Sequence, residues 1–466
     1  MGFRARNIGS IKLFNGIDNE KHAFTVVVGD NGSGKTELLL DIYRKYYSKY
    51  AELYKPQTQT GKDKLRRLND KSDYETLRLI FGAEFPQKVI CASTSQFERF
   101  QSEFKADEYE WLSEVYSYIG SKPYIQDLSP SVRIASNAIK QLLIQQTFEL
   151  RKANALKAFL DEFGFSSVLK IKLTPTITED ELITISSGDI KNISLEAQLK
   201  LQAAAYHFEK IELLNLLSKL ETVYTSPEIL LSLSNQSLKL IPTSLGYSIE
   251  FDKRELSDLI RSGLVVVADI ETVKDQSSKT NYLSPDAKVK SLSARSSGEQ
   301  CLFLLFLGVV ASIEDNSLVL IDEPEISLHP TWQERFVDIL NQSLNTYSGC
   351  HFIIATHSPL IVSNISTTNC EILNIQKNSL SDASEHYLRS SDYQLVNIFE
   401  SPGHSNEYLL KISMHIYSKV KTYKFFDELD IKHLQMLNRM KLKMSRDDPI
   451  LELIDSLNEV FKVYGQ

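Results

Sequence analysis

The sequence predicts an α/β protein, in which a mixed sheet carrying a glycine-rich loop is joined to a helical insertion and a helical C-terminal region. Three observations carry this. A β-branched run, Phe24 to Val28, leads through a glycine-rich turn into apolar residues at helical spacing from Glu37 to Tyr47. Leu318 to Ile321 is an unbroken apolar run ending at Asp322 and Glu323, the pattern of a strand buried on both faces. From about Ser129 to Tyr224, and again after Ser405, apolar residues fall at helical spacing.

The bulk properties exclude several classes. The 466 residues are enough for three domains, or for two with one inserted in the other, and 42% hydrophobic with 24% charged residues is ordinary globular composition. The formal charge of −8 gives no global positive field, so contact with DNA is possible only through a local patch and is not indicated by charge. Cys91, Cys301, Cys350 and Cys370 lie far apart, without the close pairs of a zinc site or disulfide framework, which predicts a reduced cytoplasmic setting. The longest apolar run, Leu302 to Ala311, is about half a bilayer span, and Met1 to Ser10 has no apolar stretch, so no membrane partner is expected.

In chain order, residues 1–128 are expected to form an N-terminal lobe, with the lysine-rich stretch from Lys55 to Lys71 as an exposed loop or a short solvated helix and a buried strand at Val89 to Ala92. Residues 129–247 are expected to be a helical insertion, with Leu199, Ala203, Tyr206, Leu213, Leu217 and Leu220 on one face of a long amphipathic helix. No sustained heptads support coiled-coil arms. Residues 248–404 are expected to complete the lobe, with Leu264–Ala268, Leu318–Ile321 and His351–Ala355 as central strands. Residues 405–466 are expected to be helical. Between Lys411 and Arg446, nine Lys and Arg face three acids, and Lys419, Lys421, Lys424, Lys432, Arg439, Lys441, Lys443 and Arg446 form either a solvated face or a docking surface.

Gly29-Asp30-Asn31-Gly32-Ser33-Gly34-Lys35-Thr36 matches G-x-x-x-x-G-K-[ST] between a strand and a helix, the context that motif needs. Glycines let successive N–H groups turn toward phosphates, Lys35 reaches the β- and γ-phosphates, and the Thr36 hydroxyl serves Mg²⁺. Asn31, Gly32, Ser33, Gly34, Lys35, Thr36 and Glu37 are therefore the candidate nucleotide-binding residues. The strand ending at Asp322 and Glu323 delivers two carboxylates beside that loop, Asp322 for the magnesium shell and Glu323 to orient or deprotonate water. ATP and Mg²⁺ are the expected cofactors.

Ser296-Ser297-Gly298-Glu299-Gln300 opens a strongly apolar helix, and Thr356-His357-Ser358 follows a later strand. The order of phosphate loop, Ser-Gly-Glu-Gln, Asp-Glu and His resembles the ATP-binding cassette (ABC) ATPases, whose usual signature is Leu-Ser-Gly-Gly-Gln; here Ser296 and Glu299 depart from it. The resemblance implies an ABC-type ATPase head. In it Ser297, Gly298 and Glu299 would act in trans on nucleotide held by a second subunit, His357 would contact the γ-phosphate, and Gln96 would touch Mg²⁺. Asp322-Glu323-Pro324-Glu325, Ser327-Leu328-His329-Pro330 and Ala355-Thr356-His357-Ser358-Pro359 narrow it to the branch of RecF, the OLD nucleases and the ATPase subunits of anti-phage systems such as PARIS, Septu and retrons. Arg6-Asn7-Ile8-Gly9-Ser10-Ile11 resembles that branch's opening strand.

Too few residues follow Ser363 for the Toprim nuclease of OLD proteins, and too few separate loop from signature for SMC arms. The expected function is an ATPase subunit of an anti-phage defence system, a homo-oligomer built on ATP-bridged dimers, controlling a separate effector, a nuclease or toxin, under a phage-protein trigger. The alternatives are a RecF-like repair ATPase that clamps DNA as an ATP-bound dimer, and a non-catalytic scaffold, against which Glu323 argues.

Overall fold

The computed structural model describes residues 2–16, 20–54, 85–93, 99–100, 115–120, 129–144, 149–225, 227–234, 237–242, 253–274, 289–326, 328–366 and 369–465. The lysine-rich stretch from Lys55 to Lys71, Gln96 and Ser327 lie outside the described residues.

A short hairpin, β1 (Asn7–Ile8) and β2 (Ile11–Lys12), precedes β3 (Ala23–Val28) and α1 (Lys35–Tyr54). β4 (Val89–Ser93) and β5 (Tyr116–Ile119) follow. After an inserted region come α8 (Ser297–Ser312), β11 (Leu318–Asp322), α9 (Pro330–Ser343), β12 (His351–Ala355), α10 (Pro359–Ser363), β13 (Cys370–Asn374) and β14 (Ser379–Asp382). Among the described residues the main sheet has seven strands in the order β14-β13-β3-β12-β11-β4-β5, with only the β13–β14 pair antiparallel.

Both faces are covered, which is why its strands read as continuous apolar runs. Val319, Ile321, Phe352 and Ile354 point to the side of α8, while Leu318, Leu320, Ile353 and Ala355 point to the side of α1, against Leu39 and Ile42. Each such fully buried aliphatic side chain stabilises the fold by about 1.5–3 kcal/mol. The Leu302–Ala311 run is the middle of α8, buried along its length between this sheet and the insertion, so its all-round apolarity belongs to the core. Among the described residues, no helix is long and apolar enough to cross a membrane.

The insertion differs from the helical expectation. α2 (Pro130–Ile144) and α3 (Glu149–Glu162) are helical, but β6 (Phe165–Pro175) is a strand, followed by α4 (Glu179–Ser186). In β6 Leu169, Ile171 and Leu173 are buried, while Lys170 and Lys172 pair with Glu228 and Glu271 on the other face. That is the two-residue period of a half-buried strand. The single long helix expected over Leu199 to Leu220 is two, α5 (Leu195–His207) and α6 (Lys210–Thr225), because Phe208 turns extended. β7 (Glu228–Ser234), β8 (Ser237–Pro242), α7 (Lys253–Arg261), β9 (Val265–Lys274) and β10 (Val289–Ser291) complete the region. Leu264–Ala268 therefore contributes to β9 of a second, five-stranded antiparallel sheet, β10-β9-β6-β7-β8, not to the main sheet.

After α11 (Ser391–Asn397), helices α12 (Glu407–Tyr423), α13 (Glu428–Lys441) and α14 (Ile450–Tyr464) bury a core of their own, including Leu409, Ile416, Leu434, Leu437, Ile454 and Leu457.

Candidate nucleotide site

Strand register sets the site. Asp322 is level with Ala355 and Ser93, and Ala355 with Val27, so the segments leaving β3, β11 and β12 emerge together at the C-terminal edge of parallel strands. Ligands of open α/β sheets bind at such an edge. Gly29 to Gly34 links β3 to α1 with positive φ at Gly32 (75°) and Gly34 (95°), conformations that β-carbon-bearing residues rarely adopt. A β-carbon on Gly29 would lie 2.7 Å from Ser33 Oγ and 2.9 Å from Ile375, so close packing fixes that glycine.

Lys35 is buried and its three donors are taken by Gly29 O (2.9 Å), Asp30 O (3.0 Å) and His357 Nδ1 (3.2 Å). Accepting at Nδ1 places the His357 proton on Nε2, which stands 3.7 Å from Glu323 Oε1. Burial, and then the adjacent charge of Lys35, hold the His357 imidazole below its ordinary pKa. Burial likewise lowers Lys35, against the pull of Glu323, Glu325, Asp322 and Asp30. The Thr36 hydroxyl donates to Asp322, 3.0 Å to Oδ2 and 3.2 Å to Oδ1. The structure thus brings Lys35, Thr36, Asp322, Glu323 and His357 together.

Burial pushes Asp322 up to about 6, with the charges of Glu323 and Glu325 adding to it and Thr36 opposing. The folded chain therefore binds that proton more tightly than the unfolded one. The stability this proton confers is present below the unfolded value near 3.8 and is lost as pH rises through about 6. Asp322→Asn is expected to stabilise the nucleotide-free protein by about 1–3 kcal/mol at pH 8 and by much less at pH 4. Thermal unfolding at the two pH values measures it; equal shifts at both would contradict the assignment.

Glu323 adopts a left-handed backbone (φ 50°) just past β11, and its N–H donates to Ala355 O at 2.9 Å. That conformation costs about 1–2 kcal/mol for a residue with a β-carbon. Two residues on, the next carboxylate, Glu325, meets the segment that leaves β12. There Glu325 accepts from His357 N (2.5 Å) and Thr356 Oγ1 (2.8 Å), and burial raises its pKa. Its support of His357 is missing from the sequence reading. The Asp-Glu-Pro-Glu spacing was the available signal, but which carboxylate meets which loop depends on the β11–β12 register.

The signature segment begins α8. Ser296 caps the helix by accepting from Glu299 N (3.3 Å), Gln300 Nε2 donates to Arg295 O (2.9 Å), Ser297 is exposed and Gly298 buried. Asn31 and Gly32 are exposed, and Glu37 is engaged by Arg44 (2.8 Å) and Arg99 (3.5 Å). The basic C-terminal residues are not one free surface: Lys419 pairs with Asp427 and Asp430, Lys441 with Asp455, and Arg439 and Lys443 with Glu400.

One carboxylate beside one hydroxyl is a hard, all-oxygen donor set, suited to a Mg²⁺ ion that takes its other ligands from phosphate and water. Among the described residues there is no group of three or more His, Cys, Asp or Glu placed to hold a metal without such help. Among the described residues Ser33 Oγ, buried in the loop, has no hydrogen-bond partner, and such an orphaned donor fits an anion.

Residues 223–363, which include the signature segment, Asp322, Glu323, Glu325 and His357, match the family described as "AAA domain, putative AbiEii toxin, Type IV TA system". Over those residues the chain is similar to an AAA-type ATPase domain. Beyond that domain the chain is similar to the retron Ec83 probable ATPase of Escherichia coli, 22% identical over 81% of this chain and 71% of that protein. It is similar to the retron Vc95 probable ATPase of Vibrio cholerae serotype O1 biovar El Tor, 24% identical over 75% of this chain and 68% of that protein. Protein ea59 of Escherichia phage lambda is 31% identical over 25% of this chain and 22% of its own length. The two retron alignments extend well beyond the ATPase domain, and with the family match they support the expected kinship to ATPases of anti-phage defence.

Proposed function

We propose that the chain is a Mg²⁺-dependent ATPase subunit of an anti-phage defence system, a homo-oligomer of ATP-bridged dimers that restrains or releases a separate effector. The observation that carries this reading is the convergence of Lys35, Thr36, Asp322, Glu323 and His357 at one sheet edge, in a chain similar over most of its length to two retron probable ATPases. Lys35 exchanges its bonds to Gly29, Asp30 and His357 for phosphate oxygens. Thr36 and Asp322 would hold a Mg²⁺ ion, which when bound would supply charge neutralisation on the phosphates. Glu323 orients the water and accepts its proton, while His357 presents Nε2–H to the same region.

Glu325 positions His357 in this scheme. Glu325→Ala strands one N–H and one hydroxyl and is expected to lower turnover roughly 10–100-fold at saturating ATP with little change in ATP affinity, the loss expected for one to two charge-assisted hydrogen bonds. Glu325→Gln, which keeps an acceptor, should fall between. A change in affinity alone would refute the positioning role.

Control of an effector is tested by co-expression with the product of the adjacent gene, followed by capture with and without ATP. Capture that depends on nucleotide supports the reading. Absence of capture together with salt-sensitive binding of random duplex DNA by the ATP-bound protein would favour the RecF-like alternative.

A further inference from the structure

The loop at Gly29–Thr36 is held from a direction that the site chemistry leaves unexplained. Ile375, first residue after β13, donates its N–H to Val28 O (3.0 Å) and packs against Gly29. Its neighbour Gln376 grips Asp30 twice, donating from Nε2 to Oδ2 (2.9 Å) and accepting from the Asp30 N–H at Oε1 (3.4 Å). Lys443, just beyond α13, brings Nζ to 4.0 Å from the same Oδ2 and to 3.5 Å from Glu400 Oε2. Glu400 also receives Lys377 (2.8 Å) and Arg439 (4.0 Å), the latter from the last turn of α13. Burial opposes ionisation of Glu400, yet the Lys377 hydrogen bond and the three cations hold its carboxyl below the ordinary value. The backbone of Glu400 is left-handed (φ 52°), so this anchor sits at a fixed turn.

Asp30 is the one acid inside the loop, and its carbonyl is a bond partner of Lys35. A triphosphate arriving there meets a carboxylate of its own sign. Gln376 holds that carboxylate aside and Lys443 compensates its charge. We propose that Lys443 is a positioning residue of the nucleotide site, acting through Asp30, and that it couples nucleotide occupancy to the C-terminal helices α12–α14. The inference rests on the reading that this loop binds ATP. Added negative charge in the loop strengthens the attraction on the Lys443 ammonium and draws the end of α13 toward the loop. By reciprocity, whatever displaces α13 weakens nucleotide binding by the same factor.

The test measures binding of fluorescent ATP with Mg²⁺ to the full chain carrying Glu323→Gln, so that nucleotide persists. Adding Lys443→Glu should weaken binding about tenfold or more at low salt and by less at 0.5 M salt. Lys443→Arg should stay near the parent, and Asp30→Asn should recover most of the loss in the Lys443→Glu protein, which a merely structural role of Lys443 would not produce. Lys443→Gln serves as the reference if the charge reversal lowers the melting temperature. In parallel, ATP should slow backbone hydrogen exchange in residues 428–441 of the parent and not of the Lys443→Gln protein. Unchanged affinity in both Lys443 variants, or no rescue by Asp30→Asn, overturns the coupling while leaving the ATP site standing if Lys35→Ala still abolishes binding. A parent protein that binds no ATP overturns both.

Discussion

Glu323→Gln is expected to cut ATP turnover roughly hundredfold or more while leaving ATP binding intact, and Lys35→Ala to abolish binding altogether. The contrast follows from position. Lys35 is buried, with its ammonium held among Gly29, Asp30 and His357 at the mouth of α1, so its removal takes away the cation proposed to meet the phosphates. Glu323 is part-exposed on the far side of His357, 3.7 Å from Nε2, where it can reach water without holding nucleotide. Its amide analogue keeps the shape and loses the base. Turnover by purified protein, together with equilibrium binding of labelled ATP, separates the two effects. A Glu323→Gln protein hydrolysing ATP at the wild-type rate would remove Glu323 from the mechanism.

A mixture of Lys35→Ala and Ser297→Arg chains, each inactive alone, is expected to regain activity at one composite site per mixed dimer. Ser297 is exposed in the first turn of α8, and the side-chain contacts of Ser296 and Gln300 there are with near neighbours, Glu299 N, Ser293 O and Arg295 O. An arginine there projects into solvent in a single chain, so its harm should arise only against a second one. Subunit exchange is verified first by mass measurement of differently tagged chains. If exchange is complete and the mixture stays inactive, the signature does not act in trans.

What could be read from the sequence was whatever chemistry and local pattern carry together. Runs such as Leu318–Ile321 and His351–Ala355 are apolar because they are buried on two faces, and the motif residues stand directly at their ends. β6 was misread because its period is two residues within a stretch whose neighbours have helical spacing, and because Lys170 and Lys172 lean toward Glu228 and Glu271 from strands distant in sequence. The break between α5 and α6 carries no Gly or Pro, and only the extended backbone of Phe208 creates it. Glu325 and Lys443 were invisible as site residues for a shared reason. Their partners are set by strand register and by the docking of α13, and neither is encoded in a spacing of a few residues.

The interleaving of β3, β12 and β11 also has a consequence for how the protein is made. Lys35 and His357 are 322 residues apart in the chain, yet share a hydrogen bond. At ribosomal rates of 5–20 residues per second, about 16–64 s separate the synthesis of the two. Through nearly all of that interval β3 lacks both of its neighbours, since β12 is made only in its last few residues and β13 after it. A nascent or prematurely terminated chain therefore has no assembled site, and it exposes an apolar strand with two unpaired edges, a species for chaperones or proteases to handle. Competence arrives late and all at once, when β12 slots between β3 and β11. Truncated by-products of translation should consequently be inert toward ATP and short-lived, and pulse-labelled fragments ending before His351 should be degraded faster than the full chain.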